Sequence, residues 1–163
     1  MREQKNHFDV LIIGSGPGGE GASIKLAKSG KSVAIIESHA LVGGGCTHSG
    51  TIPSKTLIHV VRQYSEAKKS RLFDRSHHHI KATSANLMDV VRDVVDQQVS
   101  NREGFYERNG VEVIEGHARF VDPQTVEVTD ESDNSRHFTA DNFVIATGSH
   151  PYRPKDINFD GER

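Results

Sequence analysis

Phe8-Asp9-Val10-Leu11-Ile12-Ile13-Gly14-Ser15-Gly16-Pro17-Gly18-Gly19-Glu20-Gly21, residues 8–21, is the stretch whose reading decides the fold. It opens with an apolar run broken by a single Asp. The length and branched side chains of that run suit a strand buried in a parallel sheet. The chain then turns through Gly14 to Gly19. From Gly18 onward Ala22, Leu26 and Ala27 recur on one helical face, and Gly30 is placed to end that helix. Ser32 to Ile36 reads as a second strand, ending at Glu37. Strand, helix and strand within about thirty residues have the size of a βαβ crossover. The expected class is therefore α/β with a central parallel sheet.

Gly14-Ser15-Gly16-Pro17-Gly18-Gly19 fits the pattern GxGxxG, and it lies between the strand and the helix. The first glycine allows the tight turn, the second lets the backbone approach a pyrophosphate, and the third lets the helix pack close to the strand. The helix N-terminus presents free N–H groups and a partial positive charge to phosphates. Glu37 follows Gly14 by 23 residues, where a carboxylate can accept hydrogen bonds from a ribose diol. These features predict a dinucleotide site built from Gly14, Gly16, Pro17, Gly18, Gly19, Glu37 and Ser38. They do not choose between FAD and NAD, because both carry a ribose and a pyrophosphate.

Outward from this unit, the glycine-rich stretch Val42 to Gly50 cannot be a regular strand. Two helical patterns follow. In Thr56 to Lys69 the stripe is Leu57, Ile58, Val60, Val61 and Tyr64. In Ser84 to Asn109 it is Leu87, Val90, Val91, Val94, Val95 and Val99, with Ser84 as N-cap and Gly110 as stop. Short β-type runs come next, at Val111–Ile114, His117–Val121, Thr125–Thr129 and Arg136–Ala140. Asp122-Pro123-Gln124 and Asp130 to Ser135 turn between the last three. Asn142 to Thr147 is a further apolar strand closed by Gly148, and Pro151 and Pro154 mark an irregular exit. Three of these strands form an antiparallel excursion from the parallel sheet. His77-His78-His79 reads as a solvated connector, since adjacent histidines share no helix face and no carboxylate or cysteine pattern accompanies them. No metal site is expected.

The 163 residues are enough for one domain with one buried core. A net charge of −2 gives no reason to expect nucleic acid or an anionic membrane surface as partner. The apolar run Val10 to Ile13 is far too short for a signal peptide or a membrane span. One cysteine, Cys46, excludes an intramolecular disulfide. The expectation from these properties is a soluble, cytoplasmic protein.

Gly43-Gly44-Gly45-Cys46-Thr47-His48-Ser49-Gly50-Thr51-Ile52-Pro53-Ser54-Lys55 resembles a segment of the flavin-dependent disulfide reductases. In that family the stretch carries Gly-Gly-x-Cys, four residues, a second Cys and then Ile-Pro-Ser-Lys, and the two cysteines form a redox-active disulfide beside the flavin. Here the second position is Thr51, which can form neither a mixed disulfide nor a resolving thiolate. Electrons reaching the flavin then have no internal disulfide to enter, and another nicotinamide is the simplest acceptor. The branch most similar is the soluble pyridine nucleotide transhydrogenases. The resemblance rests also on residues 14–21, Gly-Phe-Tyr-Glu-Arg-Asn at 104–109, Ala-Arg-Phe-Val-Asp at 118–122 and Ser-His-Pro-Tyr-Arg-Pro at 149–154.

The resemblance implies a Rossmann-like FAD-binding domain and adds site residues. Gly44, Gly45 and Cys46 would lie at the flavin, with Cys46 packing against the ring rather than cycling. Lys55 would place positive charge near the flavin N5. His117 and Ala118 would run along the adenine. Thr147, Gly148 and Ser149, after the apolar strand, would pass close to the cofactor and favour FAD over NAD. Residues 1–150 would form the FAD-binding domain, without the later flavin-contacting segment of the family. Residues 151–163 would begin the connection to a nicotinamide-binding domain. The implied parent enzyme passes hydride from NADPH through FAD to NAD⁺, with NAD(H) and NADP(H) as substrates, and is a homo-oligomer. This piece alone is expected to be inactive. Two alternatives stay open: an NADH oxidase using Cys46 through a sulfenic acid, and a non-catalytic flavin-binding module.

Overall fold

In the computed structural model, which describes residues 6–70 and 81–158, six strands form one mixed sheet in the order β3-β2-β1-β6-β5-β4. The strands are β1 His7–Ile13, β2 Val33–Glu37, β3 Glu112–Glu115, β4 His117–Asp122, β5 Thr125–Thr129 and β6 Ser135–Ile145. The helices are α1 Pro17–Lys28, α2 Gly44–His48, α3 Thr51–Lys69 and α4 Ser84–Arg108. β1 runs parallel to β2 and to β6, and β2 parallel to β3. β4, β5 and the first part of β6 form an antiparallel meander. None of the described helices is long and apolar enough to cross a membrane. The connector expected around His77-His78-His79 lies outside the described residues.

Burial on both faces explains the apolar runs Val10–Ile12 of β1 and Val33–Ile36 of β2. On one face Val10, Ile12, Val33 and Ile35 pack with Val99 and Tyr106 of α4 and with Ala22, Leu26 and Ala27 of α1. On the other, Leu11, Ala34, Ile36 and Ile114 share a core with Val126, Val128 and Phe138 of the meander. The antiparallel arm thus covers the face that α1 and α4 leave open. Each fully buried Leu or Ile contributes roughly 1.5–3 kcal/mol, so both coverings are needed to hold the central strands.

Three local expectations are corrected. Arg136–Ala140 and Asn142–Thr147 are not separate strands: β6 runs unbroken from Ser135 to Ile145. Its first half pairs with β5 and its second with β1, and Thr139 is in register with both Thr125 and His7. The polar pair Asp141-Asn142 breaks the apolar pattern, but backbone pairing continues because the ladder needs only N–H and C=O groups. The cap of α4 is Thr83 rather than Ser84. Its side chain accepts from the Asn86 N–H while Asn86 bonds back to the Thr83 N–H, which completes a capping box. The glycine-rich stretch holds the short helix α2, and α3 begins at Thr51, five residues ahead of the expected start at Thr56. Pro53 fits its first turn, and the stripe does not mark a buried face, since Ile58 and Val61 are exposed.

Candidate functional site

Strand order reverses beside β1, with β2 on one side and β6 on the other. In such sheets the crevice at the carboxyl ends of the strands is where ligands bind. Gly14 follows β1, Glu37 ends β2, Gly116 follows β3, and Ala146 to Gly148 follow β6. The topology therefore brings three sequence-distant motifs to one edge.

Backbone packing accounts for two of the glycines. Gly14 has φ +102°, and a Cβ on it would stand 2.4 Å from the Ala146 carbonyl oxygen. It is held by its N–H to the Ile36 carbonyl (2.8 Å), while the Ala146 N–H donates to the Ile13 carbonyl (2.8 Å). A Cβ on Gly19 would stand 1.9 Å from the Gly14 carbonyl oxygen, so α1 starts in direct backbone contact with the turn. Gly16 differs: no heavy atom lies within 4 Å of where its Cβ would be. Space above the middle glycine, with the first-turn N–H groups of α1 around it, is a cradle that fits a phosphate. A half-buried ion pair from Arg102 Nε to Glu20 Oε2 (2.9 Å) ties the first turn of α1 to α4.

Glu37 is buried at 5% exposure, and both its oxygens are engaged. Oε2 accepts from the Ser15 N–H (3.0 Å) and from the Ser15 hydroxyl. Oε1 accepts from the His39 N–H (3.0 Å), lies 3.1 Å from His39 Nδ1, and is met weakly by Ser38 Oγ at 3.4 Å. Burial alone would push the Glu37 carboxyl up, but the hydrogen bonds from Ser15 and His39 outweigh it and hold the group below the usual carboxylate range. The Ser15 contacts are internal, whereas His39 and Ser38 stand on the open side. The exposed His39 ring is what covers Oε1 on that side. A cavity of about 1140 Å³ opens beside this carboxylate, lined among others by Glu37, His39, Tyr106, Glu107 and Glu115. Its acidic walls repel phosphate and leave the Gly16 side as the place for one.

The other predicted residues divide by position. The Gly116 N–H donates to the Glu37 carbonyl (2.8 Å), which sets His117 and Ala118 at the start of β4, next to the end of β2. Gly44 approaches the phosphate turn, since its Cβ would stand 2.9 Å from Gly16 Cα. Gly45 and half-buried Cys46 follow in α2. Pro17 and Gly18 are exposed at the head of α1, and Thr147, Gly148 and Ser149 are exposed beyond β6. Lys55 is exposed on α3, outside this cluster of backbone contacts. Among the described residues no group of three His, Cys, Asp or Glu side chains is placed to hold a metal ion.

Sequence reasoning passed over Ser15, His39, Gly43 and Thr47. Ser15 and Thr47 are fully buried. The only advance signal was a hydroxyl at the variable position between the first two glycines of the motif.

Residues 8–163 match the family described as pyridine nucleotide-disulphide oxidoreductase. The chain is 51% identical over 156 residues to a soluble pyridine nucleotide transhydrogenase of Vibrio cholerae, covering 96% of this chain and 34% of that relative. It is 49% identical over 158 residues to the protein of that name from Vibrio vulnificus, covering 97% and 34%. The chain therefore spans about a third of the length of the curated relatives it matches. Among solved structures, the Cu(II) complex of the HOCl-induced flavoprotein disulfide reductase RclA from Escherichia coli superposes with TM-score 0.76 at 25% identity, covering 92% of this chain and 30% of that one.

Proposed function

Because the chain belongs to the pyridine nucleotide-disulphide oxidoreductase family, we propose that it is the FAD-binding part of a soluble transhydrogenase moving hydride between NADPH and NAD⁺. The observation that carries this reading is Thr51 at the place of a second cysteine, in a chain whose one cysteine is Cys46. Disulfide relay needs two sulfurs, so a nicotinamide is left as the acceptor. The names of the relatives at about half identity point the same way.

Bound FAD supplies hydride acceptance and donation. Residues of this chain bind and orient it. The Gly14–Gly19 turn and the N-terminus of α1 take the pyrophosphate, and Glu37 takes the adenosine ribose. Ser38, His117 and Ala118 would hold the adenine end, Gly44, Gly45 and Cys46 the ring end, and Thr147, Gly148 and Ser149 would contribute backbone near the cofactor. Lys55 adds positive charge that favours the form of the ring carrying more electrons. Residues 1–150 make up this FAD domain, and residues 151–163 lead toward a nicotinamide-binding domain.

The test is spectroscopic. The purified chain is mixed with FAD, desalted, and read for bands near ~370 and ~450 nm, the mark of oxidised flavin as a cofactor. Retained bands in the wild type, lost in Gly16→Val, support the site. A folded wild-type chain that retains none overturns unaided binding. In the full-length parent, NADPH-dependent reduction of an NAD⁺ analogue should survive Cys46→Ser. Oxygen consumption with NADH that disappears in Cys46→Ser would instead identify an oxidase.

A further inference from the structure

Ser15 occupies a non-glycine position of the phosphate turn and is shut off from solvent at 0% exposure. Its hydroxyl makes two bonds at once. It donates to Glu37 Oε2 and accepts from the Gly43 N–H at 2.8 Å. Gly43 is gripped from its other side as well, because Thr47 Oγ1 donates to its carbonyl at 3.0 Å. Its φ of +119° and a would-be Cβ 2.6 Å from Thr47 Oγ1 leave this peptide no alternative side chain. Gly44, the next residue, presses on Gly16. One oxygen atom thus joins the phosphate turn, the acid that ends β2, and the second glycine-rich loop.

We propose that Ser15 is a positioning residue whose hydroxyl couples the two glycine-rich loops of the nucleotide site to each other and to the Glu37 carboxylate. The proposal rests on the dinucleotide-binding reading but not on which flavin reaction follows. Removing the hydroxyl leaves the Gly43 N–H without its partner in a buried place and takes one of two donors from Glu37 Oε2, while the Ser15 N–H keeps its bond. Two consequences follow. The Gly43–Cys46 loop loosens, and Glu37 becomes easier to protonate, because hydrogen bonds to the charged form are what offset its burial.

Other groups face Glu37 and set the background for its titration. His39 of its own loop becomes cationic when protonated. Tyr106 of α4 is pushed up to about 12 by burial, then by Glu20, and stays neutral. Glu115 of β3 is in register with Glu37, and Glu103 and Glu107 of α4 line the same cavity. None of these is altered by Ser15→Ala.

The experiment compares the wild-type chain, Ser15→Ala, Glu37→Gln and the double variant. Read-outs are the ¹³C carboxyl titration of Glu37 and amide exchange at Gly43, both without ligand, and FAD affinity against pH. The expected result for Ser15→Ala is a higher titration midpoint for Glu37, faster exchange at Gly43, and FAD affinity about tenfold weaker near neutral pH. The acid side of the affinity profile should shift upward in pH. In the Glu37→Gln background the Ser15→Ala effect on affinity should shrink, because its partner is already neutral. An unchanged Glu37 midpoint, or fully additive effects, overturns the proposal. If the wild-type chain binds no FAD, unaided nucleotide binding by this chain fails, while the Glu37 titration and Gly43 exchange still decide the coupling. Should Ser15→Ala not fold, Glu37→Gln answers from the other side: accelerated Gly43 exchange supports the link and unchanged exchange refutes it.

Discussion

Three glycines within six residues should respond in different ways to the same substitution, because their surroundings differ. A methyl on Gly19 would sit 1.9 Å from the Gly14 carbonyl oxygen, and Cβ atoms essentially never come within 3.0 Å of another heavy atom, so turn and helix must part by about 1 Å. Both are backbone, and both are pinned: Gly14 by the Ile36 carbonyl, and the head of α1 by the Arg102–Glu20 pair. Forced relocation of packed groups costs roughly 1–3 kcal/mol, and Gly19→Ala should lose that much. Gly16 has open space and a φ of −63° that alanine adopts freely. Gly16→Ala should leave stability unchanged or raise it by about 0.4–1 kcal/mol through the unfolded chain, while weakening FAD binding because the methyl enters the phosphate cradle. Gly21, exposed in mid-helix with nothing near its Cβ position, serves as control and should gain about 0.5–1 kcal/mol as alanine. Urea denaturation of the ligand-free chain measures all three, and flavin titration measures the second. Gly19→Ala as stable as Gly21→Ala would refute the packing argument. Gly16→Ala binding FAD like wild type would remove the middle glycine from the site.

Glu37 is held below the usual carboxylate range, so its contribution to stability is present above its unfolded value, near 4.5, and is lost as pH falls through the lower folded one. Glu37→Gln should accordingly lag behind wild type at neutral pH and approach it in acid; a constant gap across pH in denaturation curves would contradict that sign. Arg102→Met should lower stability by about 1–3 kcal/mol, since it leaves Glu20 half-buried beside α4 without its cation, and adding Glu20→Gln should recover part of the loss. Thr83→Ala should lower stability by about 1 kcal/mol by removing the acceptor for the Asn86 N–H, whereas Ser84→Ala should change little; equal losses in thermal melts would return the cap to Ser84.

The cofactor reading depends on groups that act through backbone. Gly14 and Gly19 exclude side chains, Gly16 leaves room, and Gly116 fastens one loop to the end of β2. Lys55 stands apart from this framework, so changes at Lys55 test chemistry while changes in the turn test binding.

The sequence by itself determined the βαβ unit and the acid at its end. Both follow from local rules: a buried parallel strand must be apolar throughout, a tight turn against a helix demands glycine, and the acid falls where the second apolar run stops. The substitution of Thr51 for a sulfur was equally plain, because chemistry at a named position needs no coordinates. Tertiary structure alone decided that β6 is a single strand serving two ladders, since register depends on what lies alongside rather than on side-chain pattern. It also decided that Glu37 is already satisfied from within. Ser15 and His39 reach it from two separate loops, Gly43 in turn donates to the Ser15 hydroxyl, and whether a carboxylate is free or filled depends on distances that a linear pattern does not contain.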